Sequence, residues 1–100
     1  MTTWRLDRLS VDTVGPIVVM ADGVLVTGWT YAVLPIGTRP DPDEAASISS
    51  EPVAMEEGFG VRVGPNTEHE LAPGVYSIWV RYVDGPEAPV LPDVGRLIIT

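Results

Sequence analysis

The apolar residues of this chain come in short runs, and nearly every run is closed by Gly, Pro or Asp. The longest, Ile17–Ala21, is followed at once by Asp22-Gly23. An amphipathic helix needs about ten or more residues of unbroken 3.6-residue periodicity. With 10 glycines and 10 prolines in 100 residues, such stretches are absent. What remains are runs of strand length, rich in Val, Ile, Thr and aromatics, bounded by turn residues, which is the pattern of an all-β chain.

Asp22-Gly23 sits between Ile17–Ala21 and Val24–Val26. An Asp-Gly pair between apolar runs predicts a tight hairpin, because both turn positions require positive φ. Further strands are expected over Trp4–Val11, Trp29–Leu34, Val53–Glu56, Phe59–Val63, Val75–Val83 and Gly95–Thr100. In the second of these, Trp29, Tyr31 and Val33 share one face. From Tyr76 onward, alternation sends Tyr76, Ile78, Val80 and Tyr82 to a core face, and Ser77, Trp79 and Arg81 to the other. Pro89 and Pro92 hold their stretch to loop or sheet edge. Residues 41–46 read differently: Asp41 caps, Pro42 opens and Asp43 and Glu44 fill the first turn of one short helical turn. About seven strands at this spacing, over a single domain spanning residues 1–100, suggest a β-sandwich.

Composition narrows the function. All six basic residues are arginine, against fourteen carboxylates, giving a net charge of −8. That field repels nucleic-acid phosphates and anionic lipids, and the chain has no basic stripe for either. The N-terminal residues mix both charge signs, unlike a signal peptide, and no apolar run is long enough to span a bilayer as a helix. The expected site of synthesis is therefore a cytoplasm. Without cysteine there is no thiolate nucleophile, thiolate metal site or disulfide. No Gly-x-Ser-x-Gly, phosphate loop or His-Glu-x-x-His occurs. His69, the one histidine, reads as an exposed loop residue, and Ser47, Ser49 and Ser50 have no base nearby in sequence. The Asp41–Glu44 carboxylates lack EF-hand spacing and read as helix capping rather than a calcium site. The expectation is no enzyme, no cofactor and no metal.

The residues that stand out are suited to contact instead. Trp79 and Arg81 share the face turned away from the core, and Trp and Arg are enriched at interface hot spots. Trp4 with Arg5 forms a second such pair, Trp4 being equally suited to the core of the first strand.

Leu71-x-Pro73-Gly74-x-Tyr76, followed by alternating apolar residues, resembles the E–F corner of immunoglobulin-like and fibronectin-like domains. The resemblance implies an immunoglobulin-like sandwich in which the Tyr76 hydroxyl bonds back to the corner backbone. A second resemblance runs from Asp22-Gly23-x-x-x-Thr27-Gly28-Trp29 to Pro73-Gly74-x-Tyr76, Val80-Arg81, Pro86-x-x-Pro89-Val90 and Gly95-x-Leu97. These patterns resemble small β-sandwich virion proteins of tailed bacteriophages infecting actinobacteria and other Gram-positive hosts. That resemblance implies a structural protein of the capsid or head–tail region. Its location would be the virion and its partners capsid, connector or tail proteins in a symmetric assembly. The alternative is a carbohydrate- or cell-surface-binding module of a tail or baseplate, using Trp79 and Tyr82, or loop carboxylates, for its ligand.

Overall fold

The computed structural model describes residues 2–39, 48–56, 58–67, 69–83 and 86–100. These residues form an all-β structure of nine strands: β1 (Thr2–Leu6), β2 (Asp12–Val14), β3 (Met20–Ala21), β4 (Val24–Leu25), β5 (Thr30–Pro35), β6 (Val53–Met55), β7 (Gly58–Val63), β8 (Gly74–Arg81) and β9 (Val90–Ile99). A four-stranded sheet runs β1-β9-β8-β5, a three-stranded sheet β2-β7-β6, and β3 pairs only with β4. The β1–β9 pair is parallel and the others are antiparallel. The helical turn expected over 41–46 lies outside the described residues.

Side chains from both larger sheets meet in one core. Val14, Val61 and Val63 come from the three-stranded sheet, and Tyr31, Val33, Ile78, Val80, Leu97 and Ile99 from the four-stranded one. Trp29 seals this core, with its ring edge-on to Tyr31 at a centroid distance of 6.3 Å. The alternation of Trp29, Tyr31 and Val33, and of Ile78 and Val80, is thus realised as expected.

Three boundaries differ from the sequence reading, each for a physical reason. Trp4–Val11 is not one strand. Asp7 turns the chain after Leu6, its Oδ1 accepting from the Leu9 N–H at 2.8 Å and its carbonyl from the Ser10 N–H at 3.0 Å. The chain leaves the four-stranded sheet there and re-enters the other as β2. Ile17–Ala21 pairs as a strand only at its end, because Ile17 donates instead to the Phe59 carbonyl at 2.9 Å. The last strand starts well before Gly95 and contains Pro92. β1 covers β9 only from Gly95 onward, and the β8–β9 register shifts between Ile78 and Val80, so Pro92 sits at an irregularity with one open edge.

The Asp22-Gly23 turn forms as the sequence requires, with φ of 51° and 78°. At the other end of the core, the Tyr76 hydroxyl donates to the Ala72 carbonyl at 2.7 Å, tying the chain before β8 onto that strand. Leu71 packs against the core beside it, Gly74 opens the strand and Pro73 is exposed.

Candidate docking face

Register fixes which side chains share each face of the four-stranded sheet. On the inner face Trp4 aligns with Leu97, Leu97 with Tyr76, and Ile78 with Val33. Trp4 therefore lies on the core side, and its ring covers Gly95. A Cβ built there would lie 2.6 Å from the Trp4 Cζ3, so the position has room only for glycine while the indole stays in place. Of the four contact candidates, Trp4 is the one that the fold turns inward.

The outer face takes the rest. Arg5 aligns with Ile98, Arg96 with Ser77, Trp79 with Ala32, and Arg81 with Thr30. All three arginines of these four strands, Arg5, Arg81 and Arg96, are on this one face. Among the carboxylates of the chain only Asp93 belongs to these strands. Arg96 reaches Asp93 through its Nη2 at 3.0 Å. Arg5 and Arg81 make no ion pair among the described residues, and the Arg81 Nε is buried with no hydrogen-bond partner. In a chain of net charge −8, the described residues of this face thus carry more arginines than carboxylates. Arg39, just beyond β5, extends it.

Trp79 departs from its expected exposure. It does point away from the main core, yet it is only 8 % exposed, because Ile48 folds across it and Ala32. The crossing is held by the Thr30 hydroxyl donating to the Ile48 carbonyl at 2.7 Å. Reciprocal Tyr31–Ser50 backbone bonds at 2.9 and 3.1 Å add to it. The Trp79 indole N–H donates to Ser77 Oγ at 3.1 Å, satisfying both buried polar groups. What Trp79 still presents is one wall of a trough of about 380 Å³, shared with Ile36, Arg39, Pro92, Asp93 and Arg96.

His69 is also not the exposed loop residue expected. It is half-buried, its ring lies 5.2 Å from that of Tyr31, and its Nε2 is 3.1 Å from Ser50 Oγ. A serine hydroxyl beside an imidazole has the chemistry of an activated nucleophile. Here Ser50 is held as a backbone bridge to Tyr31. Neither Ser50 nor His69 borders the nearby depression of about 880 Å³ between Tyr31, Glu51, Arg62 and Asn66. The pair works as a latch on the Ile48 crossing. Nothing in the sequence, where the two are nineteen positions apart, signals it.

Arg96 and Arg39 were missed by the sequence reading. Arg96 had a signal: it alternates with the apolar residues of the last strand, so it had to face outward once Leu97 was placed in the core. Arg39 follows a turn and carries no periodicity. The carboxylates of the 41–44 cluster lie outside the described residues.

The chain matches no protein-family model, no curated protein and no solved structure.

Proposed function

We propose that this chain is a non-enzymatic structural protein that acts by docking onto other proteins, as a small immunoglobulin-like β-sandwich in the virion of a tailed bacteriophage. The fold part rests on strand order. In an immunoglobulin-like sandwich one sheet holds strands B, E and D, and the other C, F and G. Taking β2, β7 and β6 as B, E and D, and β5, β8 and β9 as C, F and G, reproduces both neighbour orders, with β1 added beside β9. The Tyr76 bond to Ala72 matches the corner tyrosine of such domains.

The docking part rests on one observation: an arginine-bearing outer face, with Arg5 and Arg81 in no ion pair among the described residues, on an otherwise acidic chain. Unpaired arginines on a rigid sheet suit an acidic protein surface, both for steering and for registry. The virion part rests on the turn and composition patterns that resemble phage sandwich proteins. The carbohydrate-binding alternative needs an exposed aromatic platform. It is less well supported, because Trp79 is covered and Tyr82 packs against the core.

Quantitative mass spectrometry of purified phage particles from the source tests this reading. Abundance near that of the main shell protein would indicate a decorating role on the capsid. A few copies would indicate the neck, tail or baseplate. Complete absence would remove the virion from the proposal and leave docking on other proteins to be tested by itself.

A further inference from the structure

We propose that copies of this chain associate head to tail, the β3–β4 ribbon of one copy seating in the arginine-lined trough of the next. The inference goes beyond the virion reading, because the contact requires only this chain.

The ribbon is an unusual element. Its ladder continues past the two strands through the Val26 N–H bond to the Val19 carbonyl at 2.8 Å. Val19 and Val26, on its inner side, pack into the core. On its outer side Val18, Met20 and Leu25 are each more than half exposed, and so is Val24 near the turn. Among the described residues no other strand pairs with it. Along its whole length it carries one charge, Asp22 at the tip. Exposed apolar side chains grouped on a projecting ribbon mark an interaction site rather than a solvated surface.

The trough has the matching chemistry. Ile36 and Trp79 provide apolar walls, and Arg39 and Arg96 stand over them, with Asp93 the one acidic residue among the described lining. Met20 and Leu25 suit the walls, and Asp22 suits the guanidinium of Arg39. Like net charges of −8 repel two copies at long range. A self-contact therefore has to use a region of opposite sign, and the arginine face is such a region.

Placement makes the contact intermolecular. The ribbon leads into the Thr30 end of β5, which is paired with Arg81, and its tip borders Tyr82 and Val83. The trough opens at the far end, where Ile36 donates to the Val75 carbonyl at 3.0 Å. The trough runs from Trp79, level with Ala32 and two residues from Thr30, to Ile36, six residues from Thr30 and roughly 20 Å away along the strand. One copy presents the ribbon at one end and the trough at the other, a heterologous arrangement that closes into a ring or extends as a filament. The four exposed ribbon side chains offer on the order of 400 Å² of apolar surface, against roughly 800 Å² per partner in a standard interface. The association is accordingly weak and concentration-dependent.

Sedimentation velocity from about 10 μM to about 1 mM is the test. The expected result is a weight-average mass that rises with concentration. Leu25→Lys, which spoils the ribbon, and Arg39→Asp, which spoils the trough, each weaken association about tenfold or more. Mixing the two variants leaves one intact ribbon and one intact trough, so the mixture forms dimers and stops there. Both positions are exposed, and circular dichroism should show native folding; Met20→Lys replaces Leu25→Lys if it does not. A monomeric wild type over the whole range overturns the proposal and assigns ribbon and trough to other proteins. So does association that survives both variants, or a mixture that stays monomeric.

Discussion

On β8, Ile78 and Val80 are completely buried in the main core, while Trp79 between them is buried by a single crossing of chain at Ile48. The two faces of this sheet thus reach similar burial by different means. The inner face is closed by a second sheet, contributed by many residues at once. Among the described residues, the outer face is closed at one spot by Ile48 and otherwise carries Arg5, Arg81 and Arg96. Closure by a sheet commits a surface to folding alone. Closure at one spot leaves the remainder available for a partner, and the unpaired arginines lie in that remainder.

The largest loss of stability is expected in the core. Ile78→Ala removes a fully buried side chain from a site walled by two sheets, where collapse is poor, and should cost about 3–4 kcal/mol. For a domain of this size that is a large share of total stability. Urea unfolding should show a lower midpoint with little change in slope.

Trp79→Ala is the counterpart on the outer face. The indole is as well covered as many core residues, but the cover is one side chain on a crossing that can settle into the gap. The expected cost is about 2–3 kcal/mol, below that of Ile78→Ala although more atoms are removed. A loss larger than that of Ile78→Ala in the same urea experiment would show that the Ile48 crossing is as rigid as a sheet. The comparison sharpens with Ile48→Ala, which should cost less and shift tryptophan fluorescence to longer wavelength as Trp79 becomes wetter.

The difference between the faces also explains what could be read from the sequence. The inner face was legible because Tyr31, Val33, Ile78 and Val80 follow the period of a strand, and period two survives any choice of partner. The corner was legible because Leu71, Pro73, Gly74 and Tyr76 act locally, within four residues of the Ala72 carbonyl they serve. The cover on Trp79 was not, because Ile48 reaches it from another part of the chain with no periodicity to announce it. The same applies to Ser50 and His69. The break of the first strand at Asp7 was half visible, since Arg8-Leu9 already disturbs the alternation. Of the candidate contact residues, alternation placed Trp79 and Arg81 together on the outer face, while Trp4 was open between contact and core; its inward place opposite Leu97, and that of Arg5 on the outer face, depend on a parallel register that sequence patterns do not set.

Tyr76→Phe gives a smaller effect. It deletes the hydroxyl bonded to Ala72 in an exposed setting, where water can replace the lost donor, and should cost about 0.5–1 kcal/mol. Thermal unfolding should detect it as a drop of a few degrees. No change would mean that the corner is held by Leu71 packing and by the turn alone.

The smallest expected stability change belongs to Arg81, and its sign is the informative part. The Arg81 Nε has lost water and gained no partner, and an unsatisfied buried donor costs about 1–3 kcal/mol. Arg81→Met keeps much of the aliphatic stem against the sheet and removes that donor. The variant should therefore be as stable as the wild type or more stable, by up to about 1 kcal/mol, in contrast to every other substitution on β8 considered above. A residue that the fold holds at a cost is one whose use lies outside the fold. If Arg81→Met is stable and loses docking, the outer face trades stability for a partner's carboxylate. If Arg81→Met is destabilised by more than about 1 kcal/mol, the guanidinium is part of the sheet's own packing, and the arginines of the two edges, Arg5 and Arg39, are left to carry the contact.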